Sequence, residues 1–222
     1  MPAAIVSDPP GWFGKLPALG DFASRRLPDT FVSACDTWLQ AGLREGQDSL
    51  GARWLPLYLQ AAIVRFQIGT GVVDSSFWQG VLMPSVDRVG RYFPLIIAAA
   101  VADPGAAGTA AADAWFKAVE DCAIDVLDPN RSVEEFEASL ALVSRDGLSC
   151  DPAVGDDVEL RDEMEPPQEA ELSQEAKRLP SPGESLWWDP EIISVRCEGL
   201  PAPQQFVALL TTRASSSHAL PD

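Results

Sequence analysis

Apolar residues recur along this chain at two spacings, and the alternation between them divides it into helices and strands. Over residues 29–45, Phe31, Val32, Cys35, Trp38, Leu39 and Leu43 fall three or four apart and share one helical face. A second helix is predicted over 49–60, with Leu50, Trp54, Leu57 and Tyr58 facing inward. Pro56 conflicts with that helix and predicts a break or kink. Helical spacing returns over 112–127, where Trp115, Phe116, Val119, Cys122, Ala123, Val126 and Leu127 line one face. Asp128, Pro129 and Asn130 end it. Ser132 with Glu135 then forms a capping-box pattern, opening a helix that includes Phe136 and Leu140. Phe206, Val207, Leu209 and Leu210 predict a last helix.

The other segments read as strands. Residues 10–16 predict a short strand, followed by a loop punctuated by Pro17, Gly20 and Pro28. Residues 63–68 are rich in β-branched and aromatic side chains, and 78–83 form another candidate. Residues 93–101 are continuously apolar, as in a strand covered on both faces. Two further ordered segments, 185–188 and the strand 192–197, follow a long acidic stretch.

That acidic stretch sets the predicted organisation. From Cys150 to Pro182 there is no aromatic residue and proline is frequent, so too little apolar area is available to offset ordering entropy. The expected layout is a main α/β domain at 1–149 and an acidic insertion or linker at 150–183. Strands and a helix at 184–213 pack back on the main domain, and a frayed tail spans 214–222. A length of 222 residues suits one domain with an appendage.

Charge and composition narrow the function. A net charge of −17 argues against nucleic acid and anionic membrane surfaces, which need a basic face. The N-terminus has no signal-peptide pattern, and the longest apolar run, Pro94 to Ala102, is too short to span a bilayer. A cytoplasmic location is expected. The four cysteines, Cys35, Cys122, Cys150 and Cys197, are far apart and form no zinc or redox motif. Cys35 and Cys122 read as small buried hydrophobes. The one histidine, His218, sits in the polar tail, so no positioned base is evident for nucleophilic catalysis. Gly11–Lys15 is not a phosphate loop: Leu16 stands where the motif needs a hydroxyl. No cofactor or metal site is expected.

The most unusual segment is PSVDRVGRYFP, residues 84–94, which sets Asp87, Arg88 and Arg91 between apolar flanks. Arg88 and Arg91, three apart, are placed to reach one carboxylate, and guanidinium forms planar two-pronged pairs well. Two readings stay open. One is a structural clasp in which Asp21 or Asp87 is held by Arg88 or Arg91. The other is a patch that docks a partner through Lys15, Asp21, Arg25, Arg88 and Arg91. Trp12, Phe13, Trp187 and Trp188 read as core, becoming interface anchors only if exposed together.

Four segments also carry a resemblance. GWFGKLPALGDFASRRLP (11–28), LGARWLPLYLQAAIVRF (50–66), WQGVLMPSVDRVGRYFPL (78–95) and SLWW (185–188) resemble, in this order, the signature blocks of the TagF family. One departure is Val64, where the family often carries tryptophan before Arg-Phe; this is a packing change. The resemblance implies an α/β fold, a three-layer α-β-α sandwich built as a single domain with a mostly mixed or antiparallel central sheet. It implies an accessory factor of the bacterial type VI secretion system that acts after translation, repressing assembly or firing. Some members bind the forkhead-associated scaffold protein of that system, which is the expected partner, and some are fused to a protein phosphatase. No catalytic activity or cofactor is implied. Two other readings remain: a structural or assembly component of the apparatus, and a hydrolase using Asp21 and Asp87.

Overall fold

The continuous apolar run forms strand β5 (Leu95–Val101), which pairs antiparallel along its whole length with β4 (Phe77–Met83). In the computed structural model, residues 9–143, 178–189 and 194–216 are described. The remaining strands are β1 (Gly11–Gly14), β2 (Ala23–Arg25), β3 (Val64–Ile68), β6 (Glu184–Trp188) and β7 (Ser194–Glu198). All seven form one sheet, ordered β2-β1-β5-β4-β3-β6-β7, and every neighbouring pair is antiparallel. Five helices accompany it among the described residues: α1 (Asp29–Leu50), α2 (Trp54–Leu59), α3 (Ala110–Asp125), α4 (Val133–Leu142) and α5 (Pro203–Ser216).

Strand side chains alternate between the two faces of the sheet, and both faces are apolar at its centre. Phe13, Phe66, Trp78, Leu82, Ile96, Ala98 and Trp187 cluster with residues of α1, α2 and α5. Trp12, Val81, Met83, Leu95 and Ile97 cluster with residues of α3 and α4. Trp12, Phe13 and Trp187 are buried, whereas Trp188 is half-buried with its ring centroid 5.2 Å from that of Phe116. Cys35 and Cys122 are buried. Burial, aided by neighbouring Asp36, pushes the Cys35 thiol up to about 12, and burial likewise raises Cys122. Cys150 and His218 lie outside the described residues.

The helices differ from their sequence expectation in instructive places. Helix α1 runs five residues beyond the predicted Glu45, and the break falls at Gly51, not Pro56. Gly51 adopts φ 54°, a left-handed conformation that glycine takes without a Cβ penalty, and its N–H donates to the Gln47 carbonyl. Pro56 is the third residue of α2, within the first turn, where backbone N–H groups have no helical acceptor. It therefore neither breaks nor kinks the helix. Trp54 and Tyr58 are buried, but Leu57 is only half-buried. The Ser132–Glu135 capping box forms as predicted, with the Ser132 side chain accepting from the Glu135 N–H and the Glu135 side chain accepting from Ser132. Helix α3 ends at Asp125, leaving Leu127 beyond it and exposed, not on its apolar face. The predicted 17–28 loop contains the short strand β2. Helix α5 extends to Ser216, so residues 214–216, expected in a frayed tail, are helical. Residues 217–222 and most of the predicted acidic insertion lie outside the described residues.

The C-terminal elements complete the first core. Strand β6 pairs with β3, and Phe206 of α5 meets the Trp38 ring edge-on at 5.2 Å. Trp38 in turn donates its indole N–H to the Pro201 carbonyl at 2.8 Å. Gly42 of α1 lies directly under Phe206: a Cβ there would stand 2.3 Å from the ring. Truncating Phe206 to alanine should cost about 3–5 kcal/mol, and Gly42→Ala about 1–3 kcal/mol through overpacking. Combining Gly42→Ala with Phe206→Ala should cost less than the sum of the two single changes, because the truncated side chain yields space to the new methyl. Urea unfolding of the four proteins checks this, and strict additivity would contradict direct contact.

Candidate functional site

Two loops, both leaving the same end of the central strands, are joined by one carboxylate. Strand β1 ends at Gly14, whose φ is 141° and where a Cβ would lie 2.2 Å from the Pro94 carbonyl oxygen. Only glycine lets β1 pass this close to the start of β5. The next residue, Lys15, is thereby turned inward and is 5% exposed. Strand β4 ends at Met83, and the loop after it closes through a bridge between Val86 and Tyr92, with Asp87 inside.

The Asp87 carboxylate accepts four hydrogen bonds. Oδ1 takes the backbone N–H groups of Val89 at 3.0 Å and Arg91 at 2.9 Å, shaping its own loop. Oδ2 takes Lys15 Nζ at 3.0 Å and Arg91 Nε at 2.7 Å. Burial alone would raise its pKa. The backbone N–H of Arg91, then Lys15, the Arg91 side chain and the Val89 N–H, outweigh burial and hold the carboxyl well below the usual carboxylate range.

Further bonds extend the junction. Arg91 Nη2 donates to the Gly20 carbonyl, and the Arg88 N–H donates to the Leu19 carbonyl at 2.9 Å. Ser85 Oγ donates to the Lys15 carbonyl at 2.7 Å. The Tyr58 hydroxyl accepts from the Ser85 N–H at 3.0 Å and donates to its carbonyl at 3.2 Å, tying α2 to the same loop. Burial pushes that hydroxyl above its ordinary range despite the Ser85 bond, so it stays protonated as a donor. Lys15 Nζ also stands 4.9 Å from the centroid of Phe22, whose ring is 48% exposed and packs edge-on against Phe93.

The six residues singled out from sequence therefore separate. Lys15, Asp87 and Arg91 meet in one network. Arg88 and Arg91 do not share a carboxylate: the Arg88 side chain is exposed and makes no ion pair among the described residues. Asp21 is exposed, and its carboxylate accepts from the Phe22 N–H at 2.8 Å. Arg25 is exposed, with its guanidinium 6.0 Å from the Trp12 ring centroid.

Sequence reasoning missed two other charged ties. Arg26 adopts φ 61° and donates to the Pro9 and Pro10 carbonyls and to Glu137, which also accepts from the Trp12 indole. Burial opposes the Glu137 charge, but Arg26 and Trp12 hold its carboxyl below the usual value. Arg65 grips Glu120 with two bonds, at 2.6 and 3.0 Å, beneath the Phe116 ring. Arg25 ends β2 and Arg26 follows it at φ 61°, so the two side chains part, one toward the protein and one to solvent. Only the β2 register decides which.

Together these features define a single-domain protein with a seven-stranded antiparallel sheet, whose buried charges join loops to one another. Residues 11–143 match the TagF N-terminal domain, described as type VI secretion system-associated. The crystal structure of PA0076 from Pseudomonas aeruginosa PAO1, at 2.05 Å resolution, is also similar: TM-score 0.69 and 38% identity over 91% of this chain and 94% of that one. No curated protein matches. The chain belongs to the TagF family of type VI secretion-associated proteins. The match spans three of the four sequence blocks, and the fourth, at 185–188, lies in β6 against β3. No helix among the described residues is long and apolar enough to cross a membrane.

Because the folded Asp87 ionises below its unfolded value of 3.8, its stabilising contribution is full above that pH and is lost as pH falls through the folded value. Asp87→Asn should lower Tm at pH 7 on the order of 5–10 °C. The gap to wild type should narrow below pH 4, where the carboxylate of the unfolded chain takes up a proton while the native one is still charged. Asp21→Asn should shift Tm by only about 1–2 °C, as for an exposed substitution. Melting curves from pH 2 to 7 check the order and the convergence.

Proposed function

We propose that this protein represses type VI secretion after translation, binding the forkhead-associated scaffold protein and so restraining assembly or firing of the apparatus. The observation that carries this reading is the family match over 11–143, which contains both loops of the Asp87 network. Lys15, Asp87 and Arg91 act as the clasp that fixes those loops, and Asp21, Arg25 and Arg88 lie on the surface they present. We read the fold as a three-layer α-β-α sandwich, supported by the two apolar clusters on opposite faces of the sheet.

On this reading the protein is cytoplasmic, catalyses no reaction and needs no cofactor. Hydrolysis through Asp21 and Asp87 draws no support from the geometry: one carboxylate caps an exposed loop and the other is enclosed by four donors. Deleting the gene should raise secretion of a type VI substrate, and the purified protein should capture the scaffold. Unchanged secretion would overturn the repressor reading. Lost secretion would instead mark an assembly component, to be checked by co-purification with sheath or baseplate proteins.

A further inference from the structure

A cavity of about 720 Å³ opens at the end of the sheet where the two clasped loops meet α2 and the α3–α4 turn. That volume lies within the range of ligand sites, roughly 300–1,000 Å³. Its walls are largely apolar and include Pro17, Leu59, Leu127 and Pro129; its charged lining residues are Asp87, Arg88 and Arg131. Asp87 contributes little negative charge to the opening, since its carboxylate is fully covered and shared by Lys15 and Arg91. Two guanidiniums remain. Arg88 makes no ion pair among the described residues. Arg131 donates from Nη2 to Ser139 Oγ at 2.9 Å and lies 3.6 Å from Asp125, yet its Nε is sealed from solvent with no acceptor.

Two leucines on the walls lack cover: Leu59 is 52% exposed and Leu127 40% exposed. Apolar side chains beside Arg88, which makes no ion pair among the described residues, and Arg131, whose ion pair with Asp125 is long at 3.6 Å, suit a ligand that carries both a carboxylate and an aliphatic group. The surface also continues past the mouth. Leu55, 41% exposed, lies one helical turn from Leu59, and Val89, 67% exposed, follows Arg88. An extended chain covers these positions; a small carboxylate does not.

We infer that this cavity binds an acidic peptide segment of a partner protein, with a carboxylate at Arg88 and Arg131 and an aliphatic side chain between Leu59 and Leu127. The inference does not depend on which partner supplies the segment, and it is tested on the purified chain, whereas the repressor reading is tested in cells. A phage-displayed library of random linear peptides is selected on the full chain, and the best peptide is labelled for fluorescence anisotropy. Enriched peptides should combine Asp or Glu with Leu, Ile or Phe. Arg88→Glu and Leu59→Asp should each weaken binding by about tenfold or more. Arg44→Glu, which places the same charge change at an exposed site on α1, should leave affinity within about twofold. Thermal melts establish that the variants are folded; if Leu59→Asp is not, Leu59→Ser takes its place. Peptides without acidic residues, or equal weakening by Arg44→Glu, would overturn the inference. So would octanoate binding with the same residue dependence while no peptide is enriched.

Discussion

Strand β4 is buried at all seven of its positions, and β5 at most of its own. A strand with two apolar faces is stable only when both are covered, and that requirement organises the rest of the chain. On one face α1, α2 and α5 supply the cover; on the other, α3 and α4. The first cover is drawn from both ends of the sequence, so the described C-terminal segments are integral to the core. Strand β6 extends the sheet beyond β3, and α5 lies against α1 with Phe206 above Gly42.

Covering both faces leaves the ends of the sheet to the loops, where backbone polar groups need partners. At one end a single carboxylate supplies them. Asp87 accepts two N–H groups from its own loop, which fixes the loop's shape, and two cationic side chains, which fix its place against the β1–β2 loop. A buried anion with one partner would be costly; four donors make it tolerable. Tyr58 and Ser85 then connect the same loop to α2. Docking of the helical layer and shaping of the surface are thus one event.

Much of this was legible because it rests on periodicity. Helix α3, strand β5 and the capping box at Ser132 follow from spacing and local chemistry. The Asp87 partnership was legible only as a set of alternatives, since which arginine reaches inward depends on the turn closed by Val86 and Tyr92, a geometry no residue type specifies. Lys15 needed more still: its inward turn follows from the close passage of Gly14 beside Pro94, a contact 80 residues away in sequence. Pro56 misled for the opposite reason, because its effect depends on helix register and the register was set upstream by Gly51. Arg26 and Glu137, 111 residues apart, left no local signal.

Acidic residues outnumber basic ones 33 to 16, so an inward-facing base readily finds a carboxylate while the surface stays negative. Lys15, Arg26 and Arg65 follow that pattern, each tying segments distant in sequence. Arg88 departs from it, exposed on one of the two loops that the Asp87 clasp joins. Those loops are held by several internal bonds, so a partner meeting them encounters groups already ordered, at a smaller entropic cost than a free loop would impose. At Arg88, positive charge with no ion pair among the described residues thus sits where the backbone is firmly fixed. On the proposed reading that placement favours an acidic partner, since a net charge of −17 disfavours the approach of an acidic chain without such a site.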